Sequence, residues 1–256
     1  MGKAQKRLIA LSGPSCVGKG PLLAAAREFH GELPFDLVAV IKSRESRRGS
    51  PRPDEALLWD NPDYFRPCPE IKRLRGDRYL HAMSHGFPQA LDLERIVAAE
   101  KDLVVVEASY RVTQQLKTAE YLAGIEVTTV FLSPIGLEEI CYLAACDVHK
   151  VKLLRGLIAR KLLARTVFHG EPYREALLDD IARRAGDAAA ELRTANQFDH
   201  VLISRDGEGA PSWNRAPSGR FLARPVGEAA ETLEAFVELL AGRVPRAAEK
   251  WQCRML

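Results

Sequence analysis

Short apolar runs alternate along the chain with longer stretches in which apolar residues recur at helical spacing. The short runs predict β-strands at residues 7–12, 35–41, 102–107, 127–132 and 200–204. The longer stretches predict helices at residues 21–29, 90–100, 137–145, 151–163, 173–196 and 226–242. Strands that alternate with helices are typical of a parallel sheet with helices on both faces. We therefore expect an α/β fold with three layers.

Two polar stretches, rich in proline or arginine, interrupt this alternation at residues 42–78 and 206–225. Connections longer than about 12–15 residues inside a compact domain usually have a function or lack order. We expect the first stretch to be a lid over a substrate. We assign no role to the second and leave open whether it is a mobile hairpin. Residues 1–256 are predicted to form one domain that carries both insertions.

The overall charge excludes some classes of partner. The 37 Lys and Arg residues exceed the 34 Asp and Glu residues by three, and the net charge of +3 is too small to require nucleic acid or a membrane. No stretch reaches the roughly 20 apolar residues that a membrane helix needs. We expect a small molecule as the binding partner, and the sequence leaves the oligomeric state open.

The five cysteines are odd in number and scattered, so they predict neither a disulfide framework nor a zinc site. They indicate a reducing, cytoplasmic setting. Cys141 and Cys146 follow an apolar helical pattern and are expected to fill the core. His81 and His85 lie four positions apart, which on a helix would give one face. Because no third ligand is apparent, we expect packing or surface roles for both histidines and no metal site.

The most specific pattern is a glycine-rich string between a predicted strand and a predicted helix. It reads GPSCVGK at residues 13–19 and fits the motif G-x-x-x-x-G-K. Glycines let the backbone curl so that its N–H groups face phosphate oxygens, and the helix adds the positive end of its dipole. The residues expected to bind a nucleotide's phosphates are Gly13, Ser15, Cys16, Val17, Gly18, Lys19 and Gly20, with Lys19 also acting in catalysis.

The motif departs from its usual form at one position. The Ser or Thr that normally follows the lysine, and whose hydroxyl helps to hold Mg²⁺, is Gly20 here. Pro21 comes next and is harmless in the first turn of a helix, where its missing N–H would have had no partner. We expect Mg²⁺ to be held largely by phosphates and water, as this ion often is.

Several segments, taken in order, resemble the guanylate kinase family. The opening loop is similar to that family's GPSG-x-GKG, and PRPDE looks like its PRPGE. The matching segments are LIALSGPSCVGKGPLL at 8–23, PRPDE at 51–55, DYF at 63–65, the run from 86 to 107, TTVFLSP at 128–134, LEEI at 137–140 and FDHV at 198–201. The resemblance implies a P-loop NTPase fold in three parts: a core sheet, a substrate-binding excursion at 42–88 and a lid at 150–184 that closes over ATP.

The resemblance also implies which side chains bind phosphate. Phosphoryl transfer depends on positioning and charge neutralisation, so such an enzyme needs guanidinium groups around its phosphates. For the lid we expect Arg160, Arg165 and Arg184 to act in catalysis on the triphosphate. For the acceptor we expect the phosphate to be bound by Arg44, Arg48, Arg52 and Tyr64, with Glu107 at a strand end facing substrate or magnesium.

The segment that the family uses to read the acceptor's base differs in this chain. The family reads guanine through a YGT-S segment, and residues 85–88 stand at that place here as HGFP. GMP is the first candidate by resemblance, with ATP and Mg²⁺ as cofactors. Two alternatives stay open: a kinase of another phosphorylated metabolite, such as a sugar phosphate, and a catalytically silent module that uses the groove to bind a phosphorylated protein segment.

Overall fold

Buried apolar strands form a five-stranded parallel sheet. The computed structural model describes residues 5–47, 60–172 and 174–251, with the backbone alone for residues 46 and 47. The sheet runs in the order β2, β7, β1, β8, β9. These strands are β1 (Arg7–Ser12), β2 (Asp36–Ala39), β7 (Leu103–Glu107), β8 (Glu126–Ser133) and β9 (His200–Ile203). The predicted α/β fold with a parallel sheet is confirmed.

A smaller sheet in the order β4, β3, β6, β5 accompanies it. Its strands are β3 (Ile41–Ser43), β4 (Phe65–Arg66), β5 (Tyr79–Ser84) and β6 (Phe87–Asp92). The helices are α1 (Lys19–Phe29), α2 (Cys68–Arg73), α3 (Glu94–Val97), α4 (Tyr110–Leu116), α5 (Leu137–Ala145), α6 (Lys150–Phe168), α7 (Glu175–Leu192) and α8 (Gly227–Leu240). None of these helices is long and apolar enough to cross a membrane.

The chain divides into two compact units. The first consists of Met1–Ser12 and Pro34–Thr129. In it, β7 pairs in parallel with β1 and with β2, and Glu107 at its end lies opposite Leu11. Apolar residues from these strands, from β6 and from α4 form one buried cluster. Of the residues that the sequence assigns to the acceptor, this unit holds Arg44, Tyr64 and Glu107.

The second unit consists of Gly13–Leu33 and Val130–Leu256. In it, β8 pairs in parallel with β9, α1 packs against α8, and α6 packs against α7. This unit holds the glycine-rich loop and the predicted lid. The prediction of one kinase-like domain, with its boundaries for excursion and lid, stays a prediction.

The helix predicted at residues 90–100 is wrong at residues 90–92. There the chain continues as β6, which pairs with β5 in an antiparallel hairpin from Tyr79 opposite Asp92 to Ser84 opposite Phe87. Only the single turn α3 follows. Ala90 and Leu91 are both fully buried, so the apolar run is covered on both faces and carries no helical period.

The strand predicted at residues 35–41 is divided between the two sheets. β2 ends at Ala39, and Ile41 begins β3, where it lies opposite Ala90 of β6. Ile41, Ala90 and Ile71 of α2 form a buried cluster of their own. One continuous apolar run therefore contributes residues to two hydrophobic cores. The apolar pattern alone does not reveal this division.

The expectation that Cys141 and Cys146 fill the core is wrong. Cys141 and Cys146 are exposed rather than in the core, because α5 buries only Ile140. His81 lies on a strand, and His85 sits in the hairpin turn with a positive φ of 50°. The two histidines therefore share no helix face. Among the residues that the structure describes, no cluster of three or more His, Cys, Asp or Glu side chains fits a metal ion.

Candidate functional site

The glycine-rich loop is shaped by two glycines at its ends. Gly13 follows β1 with φ +142°, and a Cβ there would lie 2.4 Å from the carbonyl oxygen of Leu132. Gly18 is the N-cap of α1 with φ +97°, a conformation that residues with a side chain rarely adopt. The backbone therefore curls tightly between strand and helix, as a phosphate-binding loop requires.

Lys19 covers this curl with its ammonium group. Its Nζ donates hydrogen bonds to the carbonyl oxygens of Gly13, at 2.7 Å, and Pro14, at 3.0 Å. The first turn of α1 contains no acidic residue of its own, so the helix's positive end is not neutralised from within. The loop thus presents a cation and a helix terminus at one place, which suits a polyanion.

Cys16 occupies an unusual conformation inside the loop. Its φ is +61°, in the left-handed region that favours glycine. Its thiol is buried and donates to the carbonyl oxygen of Lys161 on α6, with an S···O distance of 3.2 Å. Burial raises the pKa of the Cys16 thiol, and the nearby Glu208 carboxylate raises it further. The thiol is therefore kept neutral and serves to join the loop to α6.

The end of β9 fixes the middle of the loop. Ser204 is fully buried, and its hydroxyl donates a 2.7 Å hydrogen bond to the carbonyl oxygen of Val17. Lys161 donates from Nζ to the carbonyl oxygen of Ser204 at 3.3 Å. Burial lowers the pKa of Lys161 to about 8. The loop is thereby held from α6 and from β9 at once.

The segment 206–213, part of the polar stretch without a predicted role, lies against the same loop. A Cβ on Gly18 would meet the carbonyl oxygen of Asp206 at 2.9 Å and Cζ2 of Trp213 at 3.3 Å. A Cβ on Gly207 would meet the carbonyl oxygen of Cys16 at 3.0 Å. The Trp213 side chain is fully buried. Residues 206–213 therefore pack onto the glycine-rich loop.

The three arginines predicted for the lid have different surroundings. Arg165 is 7% exposed, and its Nη1 pairs with Oε2 of Glu208 at 3.1 Å. Arg184 donates from Nε to Asp180 of its own helix at 2.6 Å. Arg160 lies on an exposed part of α6. Of the three, Arg165 is brought into contact with the segment that packs on the loop.

The acceptor residues are placed only in part. Arg48 and Arg52 lie outside the described residues. Arg44 follows β3 directly, and its Nη2 is 3.7 Å from Oδ1 of the exposed Asp60. Glu107 is partly exposed at the end of β7. None of these placements by itself tests the predicted roles.

Tyr64 and Ser109 each have a partner that sequence reasoning did not identify. The Arg95 guanidinium lies over the Tyr64 ring, 5.4 Å from its centroid, and donates to the carbonyl oxygen of Asp63 at 3.0 Å. Ser109 accepts a hydrogen bond from the buried side-chain amide of Gln89. A neutral hydroxyl bonded to a neutral amide thus lies two positions after Glu107.

Sequence reasoning also missed Lys161, Ser204 and Glu208, which surround the loop. Lys161 sat on a predicted helix without an assigned role, and Ser204 ended a predicted strand. For Glu208, the sequence offers one signal, which is Trp213 five positions later. An apolar residue of that size inside a polar stretch usually needs a packing surface, so its presence indicates that this stretch packs on the protein.

Comparisons with known proteins agree on one family. The guanylate kinase of Frankia casuarinae is 29% identical to this chain over 206 residues, which is 78% of this chain and 89% of that protein. The guanylate kinase of Mycobacterium leprae is 28% identical over 208 residues, 80% of this chain and 81% of that protein. No family model matches the chain.

A solved structure shares the fold. The guanylate kinase of Anaplasma phagocytophilum superposes with a TM-score of 0.51 and 16% identity, and the match covers 94% of this chain and 88% of that one. The similarity to the two curated relatives covers about four fifths of this chain. The chain is therefore similar to guanylate kinases over about four fifths of its length and shares the fold of a solved guanylate kinase.

Proposed function

We propose that this protein is an ATP-dependent phosphotransferase that phosphorylates a nucleoside monophosphate, with GMP as the first candidate. One observation carries the proposal: the Lys19 ammonium lies over a curled loop at the positive end of α1. The curated relatives are named guanylate kinases, which supports the choice of acceptor. The cytoplasmic setting indicated by the cysteines stays part of the proposal.

On the donor side, the loop would bind the β- and γ-phosphates of ATP. Backbone N–H groups between Gly13 and Gly20 would face the phosphate oxygens, and Lys19 would exchange its two carbonyl partners for phosphate. Both bonds of Lys19 go to carbonyls that are part of the loop itself, so the ammonium is already at the right place. Arg165 would supply a guanidinium to charge that develops on the transferred group.

Magnesium would be held mainly by phosphates and water, because no cluster of three or more acidic or His and Cys side chains exists among the described residues. When bound, Mg²⁺ would neutralise phosphate charge during transfer. The residues near the loop fit this ion, since a carboxylate of Glu208 lies beside Gly20. Asp206, two positions earlier, uses its Oδ2 to accept from Ser212 at 2.6 Å.

On the acceptor side, Arg44, Arg48, Arg52 and Tyr64 would bind the monophosphate. A guanidinium matches a phosphate with two parallel N–H bonds, and the Tyr64 hydroxyl adds a further donor. The Arg95 guanidinium on the Tyr64 ring would fix the direction of that hydroxyl. Glu107 would accept hydrogen bonds from the acceptor at the end of β7.

Acceptor assays test the proposal directly. ADP release would be measured with ATP, Mg²⁺ and each of GMP, dGMP, AMP, UMP, CMP and glucose 6-phosphate. We expect turnover with GMP above the rest, abolished in Lys19→Ala and kept in Lys152→Ala, an exposed lysine on α6. Tight ATP binding without turnover for every acceptor would contradict a kinase. Turnover that prefers the sugar phosphate would contradict the nucleotide acceptor.

A further inference from the structure

We propose that Glu208 supplies a carboxylate ligand to the magnesium ion of the bound nucleotide, in place of the hydroxyl that this chain lacks at residue 20. The proposal rests on the proposed nucleotide-binding function. It assigns a role to one residue of the polar stretch 206–225, whose role the sequence leaves open.

A carboxylate oxygen of Glu208 borders the space beside Gly20. In the motif, the residue after the lysine directs its hydroxyl at Mg²⁺. A Cβ built on Gly20 meets one described atom within 4 Å, Oε1 of Glu208 at 3.7 Å. The backbone of Gly20 has no positive φ, so a serine would fit there without strain. A carboxylate oxygen from a distant part of the chain thus borders the place that the motif reserves for a metal ligand.

Neighbouring residues hold the carboxylate of Glu208 in place. Oε2 of Glu208 pairs with Nη1 of Arg165 at 3.1 Å, while Oε1 is the oxygen beside Gly20. Arg165 is 7% exposed, so the guanidinium has little freedom to move. Gly207 packs on the backbone of Cys16, which fixes the main chain next to Glu208. Ligands of metal ions are commonly oriented in this way by a second hydrogen-bonding partner.

The negative charge of Glu208 also affects the binding of a polyphosphate. A carboxylate beside a phosphate-binding loop repels a polyphosphate at close range unless a cation lies between them. Magnesium is bound in such sites by one or two carboxylates together with phosphate oxygens. Arg165 neutralises one side of Glu208, and the ion would neutralise the other. A Mg²⁺ ion bound between Glu208 and the phosphates would therefore remove this repulsion.

Binding of ADP, with and without Mg²⁺, tests the role of Glu208 apart from catalysis. Calorimetry would give the dissociation constant in excess EDTA and in excess Mg²⁺ for the wild type, Glu208→Gln and the double variant Glu208→Gln with Gly20→Ser. We expect Mg²⁺ to tighten ADP binding in the wild type. In Glu208→Gln this enhancement should fall at least about tenfold, and the added serine should restore most of it.

Controls separate this inference from the proposed function. Glu138→Gln, an exposed carboxylate on α5, should keep the wild-type enhancement. Mn²⁺ paramagnetic resonance should report a changed spectrum of the bound metal in Glu208→Gln. If Glu208→Gln keeps the wild-type ratio of ADP dissociation constants in EDTA and in Mg²⁺, the role of Glu208 is overturned while nucleotide binding stays intact. The same holds if the substitution lowers both dissociation constants by the same factor. A wild type that binds no ADP in either condition would overturn the proposed function itself.

Discussion

The hydroxyl of Ser204 donates a 2.7 Å hydrogen bond to the main-chain carbonyl of Val17, and both residues are fully buried. The bond joins the end of β9 to the middle of the phosphate loop. A loop that must present several N–H groups to one ligand gains from being fixed before the ligand arrives, because less ordering then opposes binding. We therefore expect the Ser204 side chain to contribute to stability and to the affinity for the proposed nucleotide.

We predict that Ser204→Ala destabilises the protein by about 1–3 kcal/mol, since the buried Val17 carbonyl loses its donor. The free energy of unfolding from urea titration measures this. ADP affinity should fall in the same variant. Thr118→Ala, whose hydroxyl bond is exposed, is the control and should change stability by less than about 0.5 kcal/mol. Equal stabilities of the two variants would contradict the role given to Ser204.

A pair of glycine variants separates backbone strain from helix propensity. Gly18→Ala should cost at least about 1–3 kcal/mol, because its φ of +97° disfavours a side chain and the new Cβ would meet Asp206 O at 2.9 Å. Gly156→Ala should instead stabilise by about 0.5–1 kcal/mol. Gly156 lies within α6, and a Cβ there meets nothing within 4 Å. Thermal unfolding of both variants checks the opposite signs.

The sequence predicts the parts of this fold in which local pattern and tertiary environment agree. The bounds of α5 are predicted without error, since its apolar spacing, its neighbouring glycine and its length all indicate one helix. The loop at 13–19 is also predictable, because its glycines answer a local backbone requirement. Where one residue's neighbours in sequence determine its conformation, pattern reasoning is sufficient.

Pattern reasoning fails where distant segments decide the structure. Residues 90–92 read as the start of a helix, yet their strand is fixed by the hairpin partner β5. The contact of Gly207 with Cys16 joins residues far apart in sequence and has no local signal. The same holds for Glu208, whose relation to Gly20 exists only after the polar stretch has packed on the loop.

Thiol labelling should distinguish the buried cysteine of the loop from Cys141 on α5 and from Cys146, which follows this helix. Cys141 and Cys146 are exposed, whereas Cys16 is 4% exposed and burial raises its pKa. Because the thiolate is the reactive form, Cys16 should react with a disulfide reagent at least about 10²-fold more slowly in the native state. Mass spectrometry of labelled peptides measures each site. Rapid native labelling of Cys16 would contradict the packing of α6 on the loop.

The buried ammonium of Lys161 predicts a pH-dependent stability with a definite sign. Its pKa is lowered from 10.5 to about 8 by burial, so between these pH values the unfolded chain holds a proton that the folded protein has released. Stability therefore rises with pH in that window, and below pH 8 the full cost of burying the charge is present. Lys161→Met removes this cost and fills a similar volume.

The free energy of unfolding of the wild type, relative to that of Lys161→Met, should thus increase by up to about 3 kcal/mol as the pH rises from about 8 to about 10.5. Urea unfolding of both proteins across this range measures the difference, and groups common to both cancel. Lys152→Met, on the exposed part of the same helix, controls for the loss of one lysine. If the stability curves of wild type and Lys161→Met run parallel through the window, Lys161 is solvated in the native protein, and its bond to the Ser204 carbonyl does not hold α6 against the loop.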